Sequence, residues 1–234
     1  MSSMLHFFQA GGVIMYPLLL LSFVAFVVIV ERLIAYAQFG GIAPGLLKQT
    51  LSLCRSGKIE EAARLCEGKP GPLAACLAVV LKHRSQPTRE VERLVEETGQ
   101  DYFIRLERLL PVLDTTTTIS PLLGLLGTIV GMVGTFNAIA GQANRSNSDA
   151  VLGGVGEALY ATATGIGIAV ICFVAYNYFS ARLRTITAET EQATTKLINV
   201  LTEMHHQEHP SERTGAGRNG REEETHGVPT TARA

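Results

Sequence analysis

Three long stretches of the chain carry no Asp, Glu, Lys or Arg: Phe7 to Val30, Thr115 to Asn144, and Ala158 to Ala181. Charges crowd the segments between and after them. A hydrocarbon core of about 30 Å takes roughly 20 residues of helix to cross, so each stretch predicts a membrane span. Between the first two, Leu46, Leu47 and Leu51 recur at helical spacing, and breaks fall at Ser56-Gly57, at Lys69-Pro70-Gly71-Pro72 and at Pro87-Thr88. This spacing predicts helices over 43–55, 58–67 and 73–84. From Arg89 onward Val91, Leu94, Val95, Ile104, Leu106 and Leu109 alternate with charges, predicting a long amphipathic helix that runs into the second span, kinked at Pro111. The predicted class is an all-α membrane protein of three transmembrane helices with a helical cytoplasmic domain.

Lys and Arg near the span ends set orientation. Arg32 and Lys48 follow the first span, Arg93, Arg105 and Arg108 precede the second, and Arg182, Arg184 and Lys196 follow the third, whereas the opposite side offers Arg145. The expected order is an outer amino terminus (1–12), a first span (13–34), a cytoplasmic helical domain (35–110), a second span (111–140), an outer loop (141–156), a third span (157–181), a cytoplasmic helix extension (182–204) and a disordered cytoplasmic tail (205–234). The first stretch is too long for a signal peptide and lacks both a basic leader and an A-x-A cleavage site, so it is expected to stay as an anchor.

Composition narrows the function. The hydrophobic share of 47% does not by itself separate a membrane protein from a soluble one, and the net charge of −1 gives no basic excess for nucleic acid. Cys54, Cys66, Cys76 and Cys172 form no C-x-x-C pair or zinc spacing, which leaves them as small buried residues or idle thiols. His205, His206 and His209 lie in the solvated tail. No Walker A sequence, zinc motif or nucleophile elbow occurs, so no enzyme activity, metal or cofactor is expected.

The second and third spans each have a small and a bulky face. Pro121, Gly124, Thr128, Gly131, Thr135 and Ala138, spaced three and four apart, share one stripe, with Leu122, Leu126, Ile129, Val133 and Phe136 on another. In the third span Ala158, Thr162, Gly165, Ala169 and Cys172 stand roughly opposite Tyr160, Ile171, Val174 and Tyr178. Gly127 and Gly131 make a G-x-x-x-G pairing pattern, and packing alone explains the glycines. Two roles are open to Thr128, Thr135 and Thr162: bonding back to their own helix, or lining a hydrated path. A threonine in the middle of each small face favours a narrow, weakly polar lumen shared between subunits. No carboxylate is expected deep in a span, although proton movement needs a titratable group there. Glu31 and Glu157 stand at span ends, the latter either as a favourable helix-dipole partner or as an acidic site at the outer mouth. A conducting chain would therefore take its deep acid from another polypeptide. A scaffold whose small faces only zip helices together is the alternative; a secondary transporter would need internal repeats, which are absent.

Gly11-Gly12-Val13-Ile14-Met15-Tyr16-Pro17 leading to Glu31-Arg32-Leu33, then Pro121-Leu-Leu-Gly-Leu-Leu-Gly-Thr128 with Gly131 and Phe136, then Glu157-Ala-Leu-Tyr-Ala-Thr162-Ala-Thr-Gly165, together resemble the MotA/TolQ/ExbB proton-channel family over about Gly11 to Leu201. Three spans rather than four resemble its ExbB/TolQ branch. The resemblance implies a pentamer in the bacterial inner membrane, periplasmic at its amino terminus, enclosing the transmembrane helix of an ExbD- or TolR-like partner whose aspartate carries the proton. It implies coupling through a TonB- or TolA-like protein to outer-membrane transport, or to Tol-Pal envelope maintenance. Thr128 and Thr162 then correspond to pore threonines and Glu157 to the third-span glutamate; lipid covers the outer faces.

Overall fold

The computed structural model describes residues 12–39, 45–140 and 148–208, without the side chains of Phe39, Ala138, Ile139, Glu157 and residues 148–152 and 205–208. Most of the expected amino-terminal segment, part of the expected outer loop and the tail from His209 therefore lie outside the described residues. Among the described residues seven helices follow one another: α1 (Met15–Phe39), α2 (Leu46–Arg55), α3 (Ile59–Glu67), α4 (Pro72–Lys82), α5 (Thr88–Glu107), α6 (Leu110–Ala140) and α7 (Ser148–Glu208). Among the described residues there is no strand. Three segments of the described residues are long and apolar enough to cross a membrane: Met15–Gln38, Thr88–Asn137 and Gly153–Met204.

Helix bounds differ from the sequence expectation wherever a helix outlasts its apolar stretch. Helix α1 continues past residue 34 to Phe39, and α7 takes in 148–156, expected as loop, and 205–208, expected as tail. A charge-free stretch measures what lipid tolerates, whereas a helix persists until a breaker ends it. Residues 182–208 contain neither Gly nor Pro.

Two cores hold the chain together. In the base, Leu46, Cys54, Ala62, Cys66, Leu77, Leu81 and Val91 from α2 to α5 close around Leu197 of α7. Turn chemistry sets the short helices. Gly57 adopts φ +75°, a left-handed conformation open to glycine, and α2 ends there as Lys58 N–H bonds to the Leu53 carbonyl at 3.0 Å. Gly71 at φ +117° precedes Pro72, the first residue of α4. The second core joins the spans: Ala25, Val28 and Tyr36 of α1, Leu106, Leu110 and Leu113 around the α5–α6 junction, and Cys172, Phe179 and Ile186 of α7. At 61 residues, α7 serves both cores; at 1.5 Å per residue it is about 90 Å long.

The α5–α6 junction is where proline matters most. Pro111 has no N–H to offer the Glu107 carbonyl, and the helix is interrupted at Arg108 and Leu109 before α6 resumes. The last carbonyls of a helix lack intrahelical donors. Here Arg32, its side chain only 6% exposed, donates from Nη1 to the carbonyls of Arg105 (3.0 Å) and Leu106 (2.7 Å), and Tyr36 Oη donates to Leu106 at 3.3 Å. The Glu31 carboxylate accepts from Arg32 Nε and Nη2, so the charge buried by this clamp is paired.

Helices α6 and α7 pack backbone against backbone. A Cβ built on Gly124 would stand 2.9 Å from the Thr162 Cα and 3.0 Å from the Ala161 carbonyl oxygen; one on Gly127 would stand 2.7 Å from the Ala161 Cβ. One on Gly165 would collide with the Ser120 carbonyl oxygen, and one on Gly131 would stand 3.2 Å from the Ala158 Cβ. The small faces expected to look into a shared lumen thus face each other inside one chain. Close approach is the reason: without side chains between them, the two backbones gain dispersion contacts that larger residues would prevent. The bulky stripes turn outward, with Leu122, Ile129, Phe136, Ile171, Val174 and Tyr178 all exposed.

Arg32→Ala should leave the Arg105 carbonyl without its side-chain donor and the Leu106 carbonyl with Tyr36 alone, and cost about 1–3 kcal/mol, read as a lower thermal midpoint in detergent; the exposed Lys48→Ala should not move it. Gly165→Ala should cost about 1–3 kcal/mol by overpacking. Gly167→Ala, with nothing within 4 Å of the added Cβ, should be neutral or stabilising by up to about 1 kcal/mol.

Candidate functional site

The α6–α7 seam has two edges. One is closed near the amino-terminal end of α1: a Cβ on Gly127 would meet Ile14 at 3.5 Å as well as Ala161. The other is open. One residue beyond Gly127, and so about 100° further around α6, Thr128 is half-buried on this open edge. Thr162, whose Cα stands against Gly124 in the seam, is likewise half-buried. Pro121, one heptad before Thr128, is half-buried on the same stripe.

The three hydroxyls all bond to backbone carbonyls of the spans. Thr128 Oγ1 donates to the Leu125 carbonyl at 2.7 Å and Thr135 Oγ1 to Gly131 at 2.9 Å, both within α6. Thr162 Oγ1 crosses the seam, donating to the Gly124 carbonyl at 3.0 Å, with Ala158 on its own helix at 3.4 Å. Each hydroxyl hydrogen is therefore held by a carbonyl, which leaves the oxygen lone pairs as acceptors. At the half-buried Thr128 and Thr162 such an oxygen can accept from water or a passing hydronium. Thr135 is buried at 8% exposure and takes no part in the open edge.

The remaining predicted residues divide clearly. Gly124, Gly127, Ala158, Gly165 and Ala169 are buried and Gly131 is half-buried; the contacts above place the four glycines and Ala158 in the seam. The Ser120 hydroxyl is completely buried and has no hydrogen-bond partner among the described residues, the one such side-chain atom there. Glu157 belongs to α7, but its side chain lies outside the described residues. Five residues before Thr162, it occupies a position about 140° around the helix from it, so the backbone does not put the two on one stripe.

Sequence reasoning passed over Asp114. The second charge-free stretch begins at the next residue, yet α6 begins at Leu110 and Asp114 is part of it, exposed on the α6 surface. Heptad spacing to Pro121 and Thr128 was the signal that could have found it. Four threonines follow, with Thr115, Thr116, Thr117 and Thr118 donating to the carbonyls of Pro111, Val112, Leu113 and Asp114 at 2.8, 2.7, 2.9 and 3.3 Å.

Away from the seam, burial pushes the thiols of Cys54 and Cys66 up, and that of Cys76 to about 11, so all three are protonated and unreactive at neutral pH. A groove of about 500 Å³ between α4, α5 and α7 is lined by Glu92, Glu96, Phe103 and Glu191 among others. Among the described residues no three His, Cys, Asp or Glu side chains gather as metal ligands would. His205 and His206 are helical, their side chains outside the described residues, as is His209 altogether.

Comparison with known proteins adds to this geometry. The profile of the MotA/TolQ/ExbB proton channel family matches residues 70–192, more than half of the chain. A Synechocystis protein named biopolymer transport protein ExbB-like 3 is 29% identical over 200 residues, covering 85% of this chain and 95% of that one. A second Synechocystis protein, ExbB-like 1, is 34% identical over 179 residues, 73% of this chain and 68% of its own length. The Tol-Pal system protein TolQ of Haemophilus influenzae is 36% identical over 103 residues, 44% of this chain and 43% of that one. With three helices able to cross a membrane and a glycine-built seam between the second and third, the chain belongs to the MotA/TolQ/ExbB proton channel family, in its ExbB/TolQ branch.

Proposed function

We propose that this chain is the channel-forming subunit of an inner-membrane motor driven by the proton-motive force, with its amino terminus in the periplasm and its helical base and carboxyl terminus in the cytoplasm. Several copies, five by the resemblance, stand side by side with the open edges of their α6–α7 seams toward a common lumen. The transmembrane helix of an ExbD- or TolR-like single-span partner occupies that lumen and brings the titrating aspartate. The observation that carries this reading is the presence of Thr128 and Thr162 together on the edge of the seam away from the Ile14 contact. The exposed bulky faces of α6 and α7, and an α1 apolar window of which only 22% is buried within the chain, suit contact with lipid and neighbouring copies. Glu157, more than one turn outside Thr162 along α7, is the acidic group at the periplasmic mouth.

The energetics allow such a motor. One proton crossing a membrane potential releases about 2.3 kcal/mol per 100 mV, so at roughly 130 mV it supplies about 3 kcal/mol, a bias of about a hundredfold on a two-state element. Protonation of the partner's acid removes the charge that held its helix in one orientation, and the helix shifts against the edges lined by Thr128 and Thr162. A TonB-like protein passes this motion to transport across the outer membrane. The similarity to TolQ of Haemophilus influenzae supports a second reading, in which a TolA-like protein takes the motion and envelope integrity is the output.

Thr128→Val and Thr162→Val should each lower the uncoupler-sensitive output by about tenfold, the weight of one hydrogen bond, while Thr→Ser at either position restores it and assembly in detergent gel filtration stays unchanged. Uptake of outer-membrane substrates failing alone marks the ExbB-type role; detergent sensitivity of the cells marks the TolQ-type role. Full output in both valine variants would remove the pore assignment.

A further inference from the structure

Asp114 lies within the span-length segment Thr88–Asn137, four residues into α6. Its neighbour Leu113 is fully buried in the core that joins the spans, which runs from Tyr36, Leu106 and Ile186 among the charged residues to Ala25, Val28 and Cys172 in the charge-free stretches. The Arg32 guanidinium, which marks the charged end of α1, bonds to Leu106; Asp114 is eight residues further on, about 12 Å deeper at 1.5 Å per residue. The carboxylate is exposed and makes no ion pair or hydrogen bond with the described residues. An unpaired carboxylate inside a span is costly against lipid, which favours a polypeptide interior or water beside it.

Its direction is set by the helix. Steps of seven residues turn a helix by only about −20°, so Asp114, Pro121 and Thr128 form one stripe, the stripe that borders the open edge of the seam. Pro121 removes the N–H that would have reached the Thr117 carbonyl, which leaves that oxygen as a further acceptor between Asp114 and Thr128. Thr118, exposed beside Asp114, keeps acceptor lone pairs because its hydrogen goes to the Asp114 carbonyl. A line of acceptors therefore runs from Thr128 past the Thr117 carbonyl to a carboxylate.

We propose that Asp114 is a second proton-binding group of the channel, contributed by this chain: it takes the proton from the partner's acid, through water held along the stripe, and releases it to cytoplasmic water. The partner's carboxylic acid becomes carboxylate as Asp114 becomes the acid; the O–H bond at Asp114 then breaks to give hydronium, returning the group to its charged form. This deepens the proton-channel reading above and rests on it for direction. Five copies would place a ring of carboxylates at the inner end of the lumen, drawing protons inward and holding anions out.

Two measurements test this. Asp114→Cys in inside-out membrane vesicles should react with a charged, membrane-impermeant maleimide about tenfold faster than Thr115→Cys, which is at the same depth but about 100° around the helix; the native thiols, all buried, give little background. Equal, slow labelling would put Asp114 against lipid or a sealed interface and overturn the proposal. In cells carrying the natural partner, Asp114→Asn should lower the uncoupler-sensitive output by about tenfold or more, with assembly unchanged, and Asp114→Glu should restore it. Full output from Asp114→Asn, where Thr128→Val is impaired, sinks the Asp114 role alone; full output from both sinks the channel reading as well.

Discussion

Bringing two helix backbones into direct contact requires that neither carries a side chain where they touch. In this chain the requirement is met from both sides: Gly124 and Gly127 of α6 lie against Thr162 and Ala161 of α7, and Gly165 of α7 lies against the Ser120 carbonyl of α6. Lipid tails are as apolar as leucine, so burial of apolar surface does little to hold two spans together and close contact carries more of the load. The seam also fixes rotation. Once the glycines face inward, Thr128 must stand at the edge and Leu122, Ile129 and Phe136 must face out. Chemistry at the edge is in this sense a by-product of packing at the centre.

The same logic of unmet backbone groups governs the passage from base to membrane. Pro111 breaks the ladder between α5 and α6, and a buried arginine from another span satisfies the carbonyls exposed by the break. An isolated buried guanidinium would be costly, and Glu31 beside it supplies the counter-charge. The clamp ties α1 to the junction just below the open stripe of α6, so the first span, which contributes nothing to the threonine edge, still fixes where that edge begins.

Much of this was legible in the residues. Charge-free stretches located three spans, the breaks at Gly57, Gly71 and Pro87 separated the short base helices, and the small and bulky stripes of α6 and α7 gave the inward and outward faces. What periodicity could not supply was the partner of each face. A stripe of Gly, Ala and Thr reads the same whether it meets another helix of its own chain or a lumen, and the contacts of Gly124 and Gly165 decide it. Thr128 and Thr162, identical in type, differ in the helix that accepts their hydrogen bond, which only the fold can reveal. Asp114 was overlooked because counting charge-free residues treats the first charged one as a boundary, whereas the helix and its packing carry on through it. The extension of α7 through 182–208 was expected in kind but not in length, since helix formers without a breaker set no end of their own.

Helix α7 runs without proline from the seam to the base, and this gives the molecule a lever. Between Thr162 and Leu197 lie 35 residues of uninterrupted helix, about 50 Å. A tilt of about 5° at the level of the threonines would sweep the far end by roughly 4 Å, more than a hydrogen bond or a close-packed contact can absorb. Leu197 is fully buried among α2 to α5, so a displacement of this end of α7 would press on the base. Under the proposed function, a small angular change at the seam would be carried to the base as an ångström-scale displacement, since no proline interrupts 162–197.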